Sequence, residues 1–355
     1  MLTISHAVLH VFDLESGGFY PSERELDISE RTTKSYVQRH LRRAAASAEA
    51  SHGRFSAGST FLGELNSYLS GAVTFLDFST TVARFLYDEL RKSDDECQYD
   101  LLVADFDDSV DTSDTEEGDN SRAVKASFEG VTERGFAMLL LPRRRTFMHV
   151  TDEEGGERVN EVVRHDSQLP NPTQKVDTYA VVDVASSDVT FHDKERVVAG
   201  EQALIIPDGL LSCTKEASTR EVVEAVSQLA ERVAEEAGEL PTVALASAKA
   251  AVARCVERSE ELSCSEVADV VFEGKPDQRR SFEAAAAEED IPASIPVRKG
   301  VANRLTRNHR IKTDTGIEVT FPSDYADKPE FIEFVTGADG RVSIEIRNVA
   351  SIEDK

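Results

Sequence analysis

Residues 99–106 read Tyr-Asp-Leu-Leu-Val-Ala-Asp-Phe. Branched and aromatic residues dominate, the run is too short for a helix of its own, and it predicts a strand. Before it, Phe61–Leu69 and Phe78–Leu90 read as helices separated near Gly71, with Val82, Phe85, Leu86 and Leu90 recurring at helical spacing in the second. After it, Ala123–Glu129, Phe136–Leu141 and Thr146–Val150 read as strands joined closely enough for an antiparallel meander. A further pair is expected at Asp177–Ala185 and Val189–His192. Toward the N-terminus, Ile4–Asp13 reads as a strand, Ser29 to about Ala50 as a helix and Ser51–Ser59 as a Gly/Ser loop. This arrangement is α+β, an antiparallel sheet with inserted helices.

Past Pro207-Asp208-Gly209 the texture becomes helical. Ser218-x-x-Glu221 is a capping box, and it opens a helix running to about Ala237, where Gly238 stops it. More helices are expected at Val243–Arg258, Ser265–Phe272 and Ser281–Glu289. Strands are expected at Gly316–Phe321, Phe331–Thr336 and Val342–Asn348, with Ala338-Asp339-Gly340 as a tight turn. The C-terminal half is thus helices followed by a small antiparallel strand set. Two domains are expected, 1–207 and 208–355, each long enough for its own core.

Charge is the unusual property. The 355 residues carry 66 acidic and 40 basic side chains, a formal net charge of −26. Such a field repels polyanions at long range and argues against indiscriminate coating of DNA. Asp105–Asn120 is acid-rich with no basic residue and reads as a disordered surface loop; it lacks an EF-hand pattern. Thr151–Glu157 reads as a second acidic loop.

No P-loop, dinucleotide fingerprint, H-E-x-x-H or G-x-S-x-G occurs, so no catalytic residue and no cofactor are expected. His6 and His10 could share a strand face, but no third ligand accompanies them, so no metal is expected. His165-Asp166 and His192-Asp193 would point to opposite faces of a strand. The four cysteines form no C-x-x-C pair and read as isolated thiols of a reducing compartment. The N-terminal segment lacks the pattern of a secretory leader and no run approaches a membrane span, so the expectation is the cytoplasm, with no membrane partner.

One stretch reverses the field. Ile291–Thr313 contains no acidic residue but holds Arg298, Lys299, Arg304, Arg307, Arg310 and Lys312. Guanidinium groups suit bidentate phosphate contacts, so a nucleic-acid interface is one reading. Pairing with acidic surfaces of the chain, or of another copy, is the other. Arg143-Arg144-Arg145 after a strand could be a phosphate clamp or a solubilising turn. Arg39, Arg42 and Arg43 read as a solvated helix face.

Several segments together carry a resemblance. They are Ala7–Asp13; Phe78–Leu86 leading into Tyr99–Val103; the arginine-bearing strands within Ala123–Val150; and Leu169-Pro170 through Gln174-Lys175-Val176. At the end come Ile311-Lys312-Thr313, Gly316–Val319, Phe321-Pro322, Gly340 and Ile344–Val349. In these the chain resembles the bacterial nucleoid-associated protein family of the NdpA/YejK type, over nearly its whole length. The resemblance implies association with the nucleoid and DNA as a partner, contacted directly or through a DNA-processing enzyme, and implies no catalytic activity. A homo-oligomer is compatible with the sequence, although no heptad specifies one.

Overall fold

The computed structural model describes residues 2–95, 97–109, 132–154, 157–297, 299–326, 328–337 and 341–351. By contact the chain divides into two units, Met1–Ala45 with Ala50–Glu216, and Ala46–Glu49 with Ala217–Lys355. The fold is α+β.

The first unit contains β1 (Leu2–Asp13), β2 (Gly18–Tyr20), α1 (Arg31–Ala45), β3 (Ser51–Arg54), α2 (Thr60–Leu69), α3 (Phe75–Leu90) and β4 (Tyr99–Ser109). These are followed by β5 (Thr132–Pro142), β6 (Arg144–Glu154), β7 (Glu157–Gln168), β8 (Tyr179–Asp183), β9 (Asp188–His192), β10 (Arg196–Val198) and β11 (Glu201–Ala203). Seven strands form one antiparallel sheet in the order β2-β1-β4-β5-β8-β9-β3. β4 lies inside this sheet and is buried along Tyr99–Phe106, which explains its near-continuous apolar sequence.

Alternation along β4 sorts the two cores. Leu101 and Val103 face Phe61, Leu65, Phe78, Val82 and Leu86 of α2 and α3. Leu102, Ala104 and Phe106 join Val37, Leu41 and Ala44 of α1 in a separate cluster. The sheet is therefore a filling between helices. β1 changes phase: the register with β4 shifts between Ile4 and His6. Leu2 and Ile4 pack in the α1 cluster, yet beyond the bulge Ala7 takes that side and Val8 and Phe12 turn to α3.

Two glycines are required by close approach. A Cβ on Gly135 would lie 2.5 Å from the ring of Phe106, its cross-strand partner. A Cβ on Gly53 would lie 2.0 Å from the carbonyl oxygen of Thr214.

Several expectations are corrected. Ser51–Arg54 is an edge strand of the sheet, not loop. Asp105–Ser109 belongs to β4, not to a disordered loop, and the rest of that acidic stretch lies outside the described residues, as do the strand expected at Ala123–Glu129 and the turn at Ala338–Gly340. Thr151–Glu154 continues β6, and Glu157 opens β7. The expected meander breaks after β5, which pairs next with β8, while β6 and β7 form a two-stranded ribbon.

The second unit contains α4 (Thr219–Glu236), α5 (Pro241–Ser259), β12 (Glu261–Ser263), α6 (Cys264–Val271), α7 (Pro276–Glu288), β13 (Ser294–Pro296), α8 (Lys299–Thr306) and β14 (Asn308–Lys312). It closes with β15 (Glu318–Pro322), β16 (Ile332–Thr336) and β17 (Val342–Ile346). The capping box is complete: the backbone N–H of Glu221 donates to Ser218 Oγ at 3.2 Å, and that of Ser218 donates to the Glu221 carboxylate at 2.7 Å. α5 is alanine-rich because it is buried on two sides. Ala248, Ala251, Val252 and Cys255 pack with α4, α6 and α8. Ala246 instead meets Phe321, Ala326 and Ile332, which seats the β14–β15 hairpin. Small side chains let both neighbours approach closely.

Candidate nucleic-acid interface

The acid-free stretch of the second unit folds as β13, α8 and β14, elements not assigned from the sequence. On α8, Lys299, Asn303 and Arg304 are exposed, and Val301, Ala302 and Thr306 face the core. Arg307 follows on the same exposed side by helical spacing. On β14 the alternation is strict, with Asn308, Arg310 and Lys312 outward and His309 buried.

Carboxylates claim part of this set. Arg310 pairs with Glu318 of β15, and Lys312 lies 3.9 Å from the same residue. Lys299 is 3.9 Å from Glu260. Arg304 donates to the carbonyl oxygens of Gly300 at 3.2 Å and Ala46 at 2.5 Å. Among the described residues, no side-chain partner engages the Arg307 guanidinium. Arg298 lies outside the described residues.

The arginine triplet divides. Arg143 is turned inward, its side chain only 12% exposed; it lies 3.1 Å from Asp100 and donates to the carbonyl oxygen of Phe12 at 2.6 Å. Burial pushes the Asp100 carboxyl up to about 6, against the pull of Arg143. Arg144 is exposed, and Arg145 is exposed and pairs with Glu15 at 2.8 Å. Only the last two therefore present charge to solvent. Arg143 and the second-unit cations belong to different units.

A further exposed positive face is on α1. Its 15 residues contain no acid, and Arg31, Lys34, Arg39, Arg42 and Arg43 are all exposed. Among the described residues, no ion pair engages any of the five. Val37, His40, Leu41 and Ala44 face the sheet, and this leaves the cations on the opposite side. The helix begins at Glu30, whose carboxylate accepts from the N–H groups of Thr32 and Thr33 at 2.9 and 2.6 Å and is held down to about 2 by those bonds. Arg42 and Arg43 in the last turn also suit the helix dipole, a structural reason for part of the pattern. A dipole does not account for Arg31 and Lys34 in the first turn, where cations are disfavoured.

Elsewhere, several buried charged groups are committed to the fold. The Asp105 carboxylate is buried, takes a fork from Arg134 at 3.1 and 2.6 Å and accepts from Tyr68. Arg196, fully buried, binds Asp95 at 3.0 Å, Asp193 at 2.7 Å and Thr178 at 2.8 Å, and Asp193 also accepts from the N–H of Ile206 at 2.7 Å. His10 lies 3.1 Å from both Ser79 Oγ and the N–H of Ser22, and burial lowers it to about 4. His6 meets Glu25 at 2.9 Å. Among the described residues, no three His, Cys, Asp or Glu side chains gather as metal ligands, and no helix is long and apolar enough to cross a membrane.

In the sequence Arg39, Arg42 and Arg43 read together as a solvated helix face rather than as an interface. The usable signal was the absence of any acid from Arg31 to Ala45 in a chain this acidic. The fold and these surfaces define a two-unit α+β protein that pairs buried charges such as Asp105, Asp193 and Arg196 and turns outward a cationic helix face with no ion-pair partner among the described residues. Its family follows from comparison: the chain belongs to the family of nucleoid-associated protein YejK, which matches residues 8–353. That membership carries a nucleoid-associated role and a nucleoid location. A search of curated proteins gave no match.

Proposed function

We propose that the protein is a non-enzymatic DNA-binding protein of the bacterial cytoplasm that meets phosphates with the outward face of α1. Arg144 and Arg145 of the same unit are further candidate contacts, and Lys299, Arg304, Arg307, Arg310 and Lys312 form a separate candidate set within the second unit. The observation that carries this reading is the set of five exposed cations on one helix, none of them in an ion pair among the described residues. At 1.5 Å per residue, Arg31 to Arg43 spans about 18 Å, or about five base-pair steps of duplex. The net charge of −26 opposes association at long range. At physiological salt that repulsion is screened beyond about 8 Å, while contacts made by α1 itself are short-ranged. The binding expected is therefore local and strongly salt-dependent.

Anisotropy titrations of a labelled duplex at several salt concentrations test this. Changing Arg39, Arg42 and Arg43 together to Ala should lower the log–log salt slope by about 2.7, at about 0.9 per lost phosphate contact. An unchanged slope in a folded variant overturns the reading. The acidity favours a second reading, in which the protein acts on a DNA-processing enzyme without touching DNA. In that case purified protein shows no duplex binding even at low salt, while a tagged copy recovers such an enzyme.

A further inference from the structure

Ile205–Leu211 forms a single π-helical turn, a wide and rare conformation that recurs at functional sites. The turn packs against α2 and α3, and all three belong to the first unit. It is tied to the start of α2. Ser59 Oγ donates to the carbonyl oxygen of Leu211 at 2.6 Å, and the N–H of Ser56 donates to that of Ser212 at 2.9 Å. Between the three elements lies a cavity of about 210 Å3. Buried Phe61, Phe78, Val82 and Leu210 form its floor, and exposed Thr60, Thr81 and Gly209 frame its rim. Core side chains and two helices therefore set its shape in advance of any ligand.

Size and charge identify what fits it. An apolar cavity of roughly 150 Å3 holds one benzene ring, so this one has room for a ring and a short tail. Among the described residues that line it, Glu64 is the one charged side chain. Glu64 follows Phe61 by three residues on α2 and is half-buried, and among the described residues no ion pair engages it. Water screens a half-buried carboxylate at an apolar wall less than one in open solvent, so its pull on a cation is stronger. Phe61, Phe78 and Phe85 border the same space, and aromatic rings add attraction for organic ammonium ions. An anion is opposed both by Glu64 and by the net charge of −26.

We propose that this cavity binds a small organic ammonium ion, with the apolar body among Phe78, Val82 and Leu210 and the ammonium group at Glu64. The hydroxyl oxygens of Thr60, Thr81 and Ser212 are on hand to accept the ammonium protons that Glu64 leaves over. This goes beyond the DNA-binding reading, and its readout needs no DNA.

The test is a ligand-observed fluorine NMR titration of the full-length chain. The probe is para-fluorobenzylamine, a cation at neutral pH, beside neutral para-fluorobenzyl alcohol and anionic para-fluorobenzoate. The wild type should bind the amine saturably, with a dissociation constant on the order of 1 mM or tighter. The alcohol should bind about tenfold more weakly, and the benzoate more weakly still. Glu64→Gln should weaken the amine about tenfold and leave the alcohol within about twofold. Retained alcohol binding also shows that this variant folds.

Gly209→Leu tests the place rather than the charge. A Cβ at Gly209 would lie 3.4 Å from the ring of Phe85, so a branched side chain there occupies the rim. Amine and alcohol should both weaken about tenfold, at unchanged net charge, in a variant that keeps a cooperative melt. Thr81→Leu narrows the same rim from α3 and should act alike, so a folding fault in one variant does not decide the outcome. Amine binding that never saturates, or that is no tighter than alcohol binding, overturns the proposal. So does amine affinity that Glu64→Gln leaves intact, or that both rim variants leave intact.

Discussion

α1 and the stretch Lys299–Thr313 are both free of acidic residues, but they meet the acidic chain differently. The five cations of α1 stand on a helix face with no carboxylate paired to them among the described residues. In the second unit, β14 is a strand, and its partner β15 opens with Glu318 across from Lys312. That one residue engages both Arg310 and Lys312. A run without acid in the sequence is therefore not a surface without acid in space. A helix supplies its own exposed face, whereas a strand inherits half of its neighbours from another segment. The triplet Arg143–Arg145 repeats the lesson on a smaller scale, since Asp100 claims the first arginine while the second is exposed.

The sharpest break between committed and free cations is expected within that triplet. Arg143→Ala leaves Asp100 buried without its cation, which should cost about 3–5 kcal/mol of stability. Arg144→Ala should change stability by less than about 0.5 kcal/mol. Chemical denaturation of both at neutral pH checks this, and equal effects would dissolve the distinction.

The inward side of β14 gives the next effect. His309 is buried, with neither ring nitrogen in a hydrogen bond among the described residues, and burial together with nearby Lys249 lowers it to about 4. Its folded value lies below the ordinary 6.5, so the unfolded chain binds the proton more readily. Stability from this group is lost as pH falls from about 6.5 toward 4. His309→Leu should remove that loss and add about 1 kcal/mol or more at neutral pH by eliminating unsatisfied polar atoms. Melting curves between pH 4 and 7 decide, and a variant with undiminished acid sensitivity would count against this account.

The smallest effect probes the outward side of the same strand. Glu318→Gln releases Arg310 and Lys312, and duplex affinity should rise, but by less than about fivefold, because an exposed pair is worth at most about 1 kcal/mol. Unchanged affinity would place β14 outside the interface and concentrate binding on α1.

Much of the fold was legible because local chemistry and tertiary role agreed. Tyr99–Phe106 had to be a strand, and Ser218 with Glu221 had to open a helix. The misses share a cause. β7, Glu-Arg-Val-Asn-Glu-Val-Val-Arg-His-Asp-Ser-Gln, has its described side chains exposed, so no buried face imposes an apolar alternation on them. β3, Ser-His-Gly-Arg, is specified by close approach to Thr214 rather than by its side chains. β14 did carry an alternating pattern, but its basic residues drew a reading by charge instead of by period. The inward fate of Arg143 had a signal as well: Asp100, a carboxylate inside a run otherwise bound for the core, required a cation from somewhere. The free face of α1 was harder to read, because nothing in a sequence says which carboxylates will stay away.

The bulge in β1 has a consequence beyond its own turn of chain. It acts as a dislocation, as in a layered crystal, where one extra unit lets two domains of opposite phase share a continuous row. Leu2 and Ile4 keep the phase that anchors the sheet beneath α1, and the rest of the strand keeps the phase that serves α3. Excising Ser5 would erase the fault and force one end of the strand to present its polar side to a core. The seating of the cationic helix therefore hangs on a single surplus residue in a strand that carries none of the charge.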